Sequence, residues 1–361
     1  MKAQRKQQLF DVIHITIAYV IIGIIISFYD HFLIYSELSK GPIESYSLIE
    51  VMTFNVLAGF SAGLFGGLFL TTLNQKTRNK PFIIGQIIGA STFLFIFILI
   101  SFLTALISAY MIVNGDFTDA NFPKVIKEQS FSSVHLKNLI AWGIVFQLTQ
   151  FSLQLQQKFG PGNMWKIFSG KYHTPKVESR IFMFLDLKSS TTIAEKLGES
   201  TYHQFLQDVF SDITEPISEN KAQIYQYVGD EIVITWKLDK IKDKAECVKI
   251  FFDVDKEFES RKDKYLKKYG TIPIFKAGAH IGNSIVGEIG IIKRNITYSG
   301  DLLNTTARIQ GKCNELNSRF LISSQLKDYL TDLTIAYNMD SKGFIALKGK
   351  QSKIELFSVS T

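Results

Sequence analysis

The stretch IYQYVGDEIVITW, Ile224–Trp236, sets two apolar runs rich in β-branched and aromatic residues around a Gly-Asp pair. Such a pair between alternating apolar runs predicts a β-hairpin, because a tight reversal needs a residue that tolerates unusual backbone angles. A turn does not require acidic residues, yet Asp230 and Glu231 stand side by side at its tip. The two carboxylates indicate that the hairpin carries chemistry as well as structure.

The composition indicates a membrane component. The 361 residues are 46% hydrophobic with a mean hydropathy of +0.12, which is unusual for a soluble domain of this size. The net charge of +7 comes from scattered Lys and Arg interrupted by acidic residues, so the lipid bilayer explains it better than nucleic acid, which is not expected as a partner. Cys247 and Cys313 stand alone, which excludes a disulfide scaffold or a cysteine zinc site.

Apolar runs before residue 160 predict an α-helical membrane domain, residues 1–158, with four transmembrane helices. The runs are Val12–Phe28, Val51–Leu73, Phe82–Val113 and Leu136–Leu155. Basic residues precede the first run, join the second to the third and follow the fourth, whereas the other loops are mixed or acidic. The positive-inside rule therefore predicts a multi-pass protein of the cell (inner) membrane with both termini and the catalytic domain in the cytoplasm.

Two patterns within these runs predict contacts between helices. Small residues in the second run suit the close approach of another helix; they are Gly59, Gly63, Gly66 and Gly67. Glutamines in the fourth run recur at spacings of three and four and share one helix face; they are Gln147, Gln150, Gln154 and Gln157. This stripe fits either a helix end that enters water or an interhelical seam that forms a dimer.

A Pro- and Gly-rich cytoplasmic linker, residues 159–178, is expected to precede a domain of residues 179–361. In that domain Ser179–Leu187 predicts a buried strand, and a helical pattern follows it with Ser189 and Ser190 as N-cap candidates.

After the hairpin we expect one charged amphipathic helix over Ile241–Gly270 and a strand pair over Ile272–Gly290. A strand-to-helix segment and a terminal hairpin complete the pattern. The pattern predicts an α+β domain, and about 180 residues suit a single domain.

Asp186 and Asp230 form a candidate metal site. Asp186 ends a strand just before Lys188–Ser190, whose backbone N–H groups open a helix and suit a polyphosphate. If the strand and the hairpin are neighbours, the two aspartates converge beside that turn, which is how proteins hold magnesium together with substrate phosphates. Glu231 is expected on the other face of its strand and is interpreted as a bystander.

The C-terminal half resembles the class III nucleotidyl cyclases, the adenylate and guanylate cyclases. The resemblance spans about Arg180 to Val359 and depends on the order of several motifs: FLDLKSST, YVGDEIVI, AGAHIGNSIVGEIG, SGDLLNTTARI and LKGK. It implies a cyclase fold with a ferredoxin-like βαββαβ core. It also implies an intracellular signalling enzyme that converts ATP to cyclic AMP and pyrophosphate, with cyclic GMP synthesis from GTP as the alternative.

The resemblance also implies the chemistry of the site. Two Mg²⁺ or Mn²⁺ ions would bind Asp186 and Asp230, assisted by the Leu187 carbonyl. Asn304 and Arg308, four residues apart and so on one helical face, would stabilise the transition state. In the family the aspartates and the Asn/Arg pair come from different protomers, which implies a homodimer with shared active sites.

The base-selecting positions of the family fall on Gln226 and Thr297. Thr297 fits the adenine pattern, whereas Gln226 fits neither, because a neutral amide donates or accepts and can serve either purine. ATP is therefore the favoured substrate. A rival interpretation is a catalytically silent receptor whose cyclase-like domain only binds nucleotide or a partner. The residues assigned to substrate binding are Lys188, Ser189, Ser190, Gln226, Thr297 and Lys348.

Overall fold

The structure is a computed structural model that describes residues 2–35, 47–77, 80–113, 116, 118–130, 133–160, 163–292, 294–331, 337–350 and 352–361. The chain divides into two compact units, Gln4–Phe168 and Ser169–Thr361. The linker predicted over 159–178 is divided between them, and its Pro161-Gly162 pair lies outside the described residues. The same holds for residues 36–46 of the first predicted extracytoplasmic loop.

The N-terminal unit is helical. Its helices are α1 (Lys2–Tyr35), α2 (Leu48–Ser61), a π-helical turn (Ala62–Gly66), α3 (Gly67–Lys76), α4 (Phe82–Ile112), α5 (Phe122–Ser130), α6 (Ser133–Phe159) and α7 (Asn163–Phe168). Within the described ranges three stretches are long and apolar enough to cross a membrane: Arg5–Leu33, Leu48–Lys76 and Phe82–Ile112. Helix α6 has 27 residues but is not among them, since its glutamines lower its hydropathy. A fourth span stays a prediction.

Glycines bring α1 close to the α2–α3 stretch. A Cβ atom at Gly59 would lie 2.6 Å from a backbone oxygen of α1, and one at Gly63 would lie 2.5 Å from a backbone carbon of α1. A Cβ at Gly66 would meet nothing within 4 Å. The predicted close approach is confirmed at Gly59, at Gly63 and at Gly67, where a Cβ would lie 3.3 Å from the Ile15 side chain of α1. It is wrong for Gly66, which faces away from α1.

The glutamine stripe of α6 packs against α4 of the same chain. Gln86 Nε2 donates to Gln154 Oε1 at 2.9 Å, and Gln150 Nε2 donates to the Gly85 carbonyl at 2.6 Å. Gln147 donates to Gln86 as well. Gln150 and Gln154 are buried, so these amides do not emerge into water. Gln147, Gln150 and Gln154 thus form a seam between two helices of one chain, whereas Gln157 is exposed and donates to the Asn74 carbonyl of α3 at 3.3 Å. The expectation that the stripe forms a dimer stays a prediction.

The C-terminal unit is built on one mixed sheet. The strands are β1 (Lys176–Leu187), β2 (Gln223–Val228), β3 (Glu231–Lys237), β4 (Phe275–Ile289), β5 (Asn295–Ser299), β6 (Phe320–Ser323), β7 (Asn338–Ile345) and β8 (Ile354–Ser360). Their order is β2-β3-β1-β4-β6-β8-β7, and β5 pairs with β4. β4 and β6 are parallel, and the other pairs are antiparallel.

Helices fill the connections between these strands. They are α8 (Ser190–Leu197), α9 (Glu199–Asp212), α10 (Thr214–Glu219), α11 (Glu246–Ser260), α12 (Lys262–Tyr269), α13 (Asp301–Gly311) and α14 (Ser324–Tyr329). Helices α8–α10 separate β1 from β2, and α11 and α12 separate β3 from β4. With the strand order β2-β3-β1-β4, this connectivity is the ferredoxin-like βαββαβ core.

Two predicted elements differ in the structure. The strand pair expected over Ile272–Gly290 is the single strand β4, because β1 pairs with it without interruption from Lys176↔Val286 to Leu187↔Phe275 and leaves no place for a turn. The long charged helix is broken into α11 and α12 at Arg261, whose φ of −107° and ψ of 12° leave the helical region. The break lets α12 turn its tyrosines into the core.

The two faces of the sheet carry different cores. Alternate residues of β1, with α9, α11 and α12, form the main apolar core, which includes Ile181, Met183, Leu185, Phe205, Val254, Phe258 and Tyr265. The other face carries a smaller cluster with α13, formed by Phe182, Phe184, Val233 and Leu302. Because side chains alternate along a strand, Asp186 belongs to this second face, which we call the α13 face.

Candidate active site

Asp186 lies in a row of charged residues that crosses three strands. Glu231 of β3 and Lys276 of β4 stand opposite it in the register, and directly paired residues project from the same face of a sheet. Lys276 Nζ lies 3.2 Å from Asp186 Oδ2, and Gln310 Nε2 of α13 donates to the same oxygen at 3.0 Å. The carboxylate is therefore held between the sheet and α13.

The hairpin brings Asp230 to Asp186. Val228 pairs with Glu231, which leaves a two-residue turn of Gly229 and Asp230. Gly229 has a φ of +62°, a conformation that favours glycine. Burial raises the pKa of Asp186, Lys276 opposes the rise, and the charge of Asp230 adds to it. The two aspartates are therefore neighbours across adjacent strands, as the sequence predicts.

Glu231 faces the site, and its interpretation as a bystander on the opposite face is wrong. That expectation treated Asp230 as a strand residue, whereas Asp230 lies in the turn and the strand begins at Glu231. Burial, the charge of Asp186 and that of Asp230 raise the pKa of Glu231 to about 7. Three carboxylates thus share one small volume.

This donor set fits a divalent cation held jointly with a substrate. Burial is the main cause of the raised pKa values of Asp186 and Glu231, and repulsion between the carboxylates adds to it. A cation between them would lower the energy of their charged forms. Mg²⁺ binds through one or two carboxylates while water and phosphate complete its coordination, so Asp186 and Asp230 supply donors of the kind that it needs.

The turn after β1 leads directly into α8. Ser189 occupies the N-cap position, but its φ of 59° is left-handed and its side chain makes no capping hydrogen bond, so the predicted side-chain cap is wrong. Tyr202 of α9 lies beside Ser190, and its pKa is raised by burial and by the charges of Asp230 and Asp186. Tyr202 is thus a site neighbour that the sequence did not indicate, because its position depends on how α9 folds back.

Asn304 and Arg308 share the outward face of α13, where Asn304 is exposed and Arg308 is half-buried. On the inward face, a Cβ atom at Gly278 of β4 would lie 2.6 Å from Gln310 Cα, so the helix backbone touches the sheet. Within the described residues, no hydrogen bond or ion pair joins Asn304 or Arg308 to the aspartates of the same chain.

The segment that contains the LKGK motif docks along α13. A Cβ atom at Gly349 would lie 3.3 Å from a terminal nitrogen of Arg308, so the guanidinium rests against this segment. Lys350 forms an ion pair with Asp301 at the start of α13. Lys348 directly precedes these two residues and is exposed, so its ammonium can reach an anion.

The two candidate base-selecting residues lie on β2 and β5. Gln226 is exposed and follows a β-bulge in β2, whereas Thr297 is half-buried and its hydroxyl donates to the Gly287 carbonyl at 3.4 Å. Their chain neighbours Tyr225 and Tyr298 meet edge to face with ring centroids 4.9 Å apart. The two strands therefore approach each other on the α13 face.

This fold and this arrangement of carboxylates define a nucleotidyl cyclase domain. The family profile described as "Adenylate and Guanylate cyclase catalytic domain" matches residues 173–361, more than half of the chain. The chain belongs to the adenylate and guanylate cyclase family.

Relatives and solved structures agree with that membership. The chain is 33% identical over 210 residues to adenylate cyclase 2 of Rhizobium meliloti (strain 1021), with 58% of each chain covered. It is 23% identical over 176 residues to the receptor-type guanylate cyclase gcy-13 of Caenorhabditis elegans, with 48% of this chain and 17% of that protein covered. It thus spans less than two thirds of these relatives. A bacterial light-regulated adenylyl cyclase structure aligns with a TM-score of 0.52 and 18% identity, over 62% of this chain and 65% of the other, and shares the fold.

Proposed function

We propose that this protein is a membrane-bound adenylate cyclase that converts ATP to 3′,5′-cyclic AMP and pyrophosphate. The observation that carries the proposal is the convergence of Asp186 and Asp230 beside the turn that opens α8. The 33% identity to an adenylate cyclase and the threonine at position 297 support ATP as the substrate. GTP is the second candidate, because Gln226 can hydrogen-bond either purine.

The metal side of the site would hold two Mg²⁺ or Mn²⁺ ions through Asp186 and Asp230, with the Leu187 carbonyl as a further oxygen donor. Bound there, the ions would lower the pKa of the ribose 3′-hydroxyl and stabilise the attacking and departing oxygens. Glu231 lies beside these aspartates, and the positive charge of bound ions would favour its ionised form as well.

The remaining groups orient the nucleotide. The Lys188 N–H already donates to the Ile274 carbonyl at 2.8 Å, so the N–H groups of Ser189 and Ser190, at the start of α8, would hold phosphate oxygens. Lys348 would contact the terminal phosphates. Arg308 would set a permanent positive charge against the pentavalent phosphorus, and Asn304 would orient the ribose. These roles suit two residues that lie close together, since the Arg308 guanidinium rests against Gly349, the neighbour of Lys348.

The active site is proposed to be shared between two chains. Asn304 is exposed on α13 and does not contact the aspartates of its own chain, so a second chain would bring its Asn304 and Arg308 to them. Two copies related by a twofold axis would form two equivalent sites. We further propose that the helical unit lies in the inner membrane with both termini in the cytoplasm.

The test is an assay of the purified full chain with ATP and with GTP, each with Mg²⁺ and with Mn²⁺. The expected result is metal-dependent formation of cyclic AMP and pyrophosphate, with a higher kcat/KM for ATP. Binding of nucleotide without release of either cyclic nucleotide in any combination would refute the enzyme and favour a silent receptor.

Mixing two inactive variants tests the shared site. Asp186→Asn and Arg308→Ala homodimers should each be nearly inactive, since every site carries one lesion. The isolated mixed dimer should show about half of wild-type activity, because one of its two sites is intact. The measurement is turnover after co-expression with two affinity tags that isolate the mixed dimer. An inactive mixed dimer would mean that each chain builds its own site.

Base selection is tested at Gln226. Gln226→Lys should favour ATP, since an ammonium only donates and adenine N1 accepts, whereas guanine presents a donor there. Gln226→Glu should favour GTP. A mismatched buried polar pair costs about 1–3 kcal/mol, so the ratio of kcat/KM for ATP and GTP should move by roughly ten- to a hundredfold. Ratios within about twofold of wild type in both variants, well below one such mismatch, would remove Gln226 from the base site.

A further inference from the structure

A buried ionic cluster lies on the α13 face, far from the aspartates. Arg180 is 1% exposed and its Nε donates to Glu178 Oε2 at 2.8 Å. The Tyr172 hydroxyl donates to Glu178 Oε1 at 3.1 Å. We call Tyr172, Glu178, Arg180 and Tyr298 the Arg180 cluster. Arg180 precedes Asp186 by six residues of extended strand, about 20 Å, so the cluster does not touch the metal site.

Stability alone does not account for this cluster. Taking two charges out of water costs several kcal/mol per ion, and a buried pair is often no more stable than apolar residues of equal volume. Glu178 nevertheless stays ionised: burial acts to raise its pKa, but hydrogen bonds and charge from Arg180 hold that pKa below its usual value. Holding its neighbours in place therefore explains this buried guanidinium better than a contribution to stability does.

Tyr298 links the cluster to the base-selecting residues. The Arg180 guanidinium carbon lies 4.7 Å from the centroid of the Tyr298 ring, and Tyr298 directly follows Thr297. The same ring contacts Tyr225, which directly precedes Gln226, at a centroid distance of 4.9 Å. One chain of contacts thus runs from the guanidinium to both strands.

Glu178 and Gln223 hold the guanidinium at all three of its nitrogens. Glu178 binds it through Nε and through a terminal nitrogen, each at 2.8 Å, and its other terminal nitrogen donates to Gln223 at 3.4 Å. The Glu288 backbone N–H also donates to the Tyr172 carbonyl at 3.0 Å, which ties the end of β4 to the cluster. The Tyr298 ring therefore rests on a rigid support.

We propose that Arg180 and Tyr298 are positioning residues for purine selection, which set the separation of Gln226 and Thr297 within one chain. The inference rests on the proposed cyclase function. Neither residue touches the reacting atoms. They act by holding β5 against β2, so that the two polar groups that read the base edge keep a fixed distance.

The test compares Tyr298→Leu with Tyr298→Phe in the full chain. Leucine removes the ring that contacts both the guanidinium and Tyr225, whereas phenylalanine keeps it. Tyr298→Leu should bring the ratio of kcat/KM for ATP and GTP about five- to tenfold closer to one, the scale of a lost aromatic and cation–π contact. Tyr298→Phe should stay within about twofold of wild type, because the ring contacts remain.

A second variant removes the charges without leaving one unpaired. The double change Glu178→Gln with Arg180→Met should reduce the selectivity in the same direction as Tyr298→Leu. Thermal unfolding shows whether each variant is folded. If one of the two, Tyr298→Leu or the double variant, does not fold, selectivity is measured on the other.

The matched control is Phe251→Leu. Phe251 is buried in the main core, and the Arg319 guanidinium lies 5.2 Å from its ring centroid, so the change removes a similar contact from the other face. It should lower thermal stability and leave the ratio unchanged. The proposal is overturned if Tyr298→Leu changes kcat/KM for ATP and for GTP by the same factor, which is the result expected for Phe251→Leu. A wild-type chain that forms no cyclic nucleotide overturns the proposed function instead, and competition of ATP and GTP for binding then tests the positioning.

Discussion

Asp186→Asn is expected to lower cyclic nucleotide formation by at least about a hundredfold, because it removes the ligand charge that holds a catalytic cation. The fold should survive. The substitution removes the ion pair with Lys276, but a neutral amide relieves repulsion from Asp230 and Glu231, and its oxygen can still accept from Gln310 and Lys276. Thermal unfolding should shift by no more than about 4 °C, which corresponds to about 1 kcal/mol for a domain of this size.

The matched control for Asp186→Asn is Asp263→Asn in the first turn of α12, where the side chain is exposed. The control should retain wild-type turnover with both metals. The measurements are turnover with Mg²⁺ and Mn²⁺ and the unfolding temperature of each protein. Asp186→Asn turnover within a few-fold of wild type would rule out the assignment of Asp186 as a metal ligand.

Gly278→Ala is expected to destabilise the C-terminal unit by about 3 kcal/mol, the upper end of the usual cost of overpacking. The new methyl group would overlap the backbone of Gln310, which no side-chain rotation can relieve. Helix α13 must therefore move, and Asn304 and Arg308 move with it. Turnover should fall even at temperatures where the protein stays folded.

The control for this change lies on the same helix. A Cβ atom at Gly311 would meet nothing within 4 Å, so Gly311→Ala should leave stability unchanged or raise it by about 0.5–1 kcal/mol, the usual gain from replacing a helical glycine. Unfolding temperature and turnover are measured for both variants. Equal behaviour of Gly278→Ala and Gly311→Ala would mean that α13 does not pack closely on β4.

Local patterns predicted the hairpin and the meeting of the two aspartates. The Gly-Asp turn is specified by its own residues, and an apolar run that ends in an aspartate specifies a buried strand. Glu231 was assigned to the wrong face because alternation depends on where a strand begins, and an error of one residue reverses every side chain. Lys276 became visible as a partner of Asp186 only through the register of β1 and β4.

Tertiary contacts decided the features that the sequence could not predict. The glycines of β4 resemble turn residues in the sequence, yet Gly278 is small because α13 touches the strand there. Tyr202 reaches the site through the packing of α9. Asn304, Arg308 and Lys348 were found through a family resemblance, and the roles proposed for them rest on it.

The amide contacts between α4 and α6 have a mechanical consequence. A side chain at Gly89 would occupy the space of the Gln150 amide, so this amide fits into a notch in α4 and locks the two helices in register. In apolar surroundings no water would replace the amide hydrogen bonds during a sliding motion, so sliding would leave polar groups unsatisfied. The two helices are therefore expected to keep their register, so a displacement or rotation of α4 would move α6 with it.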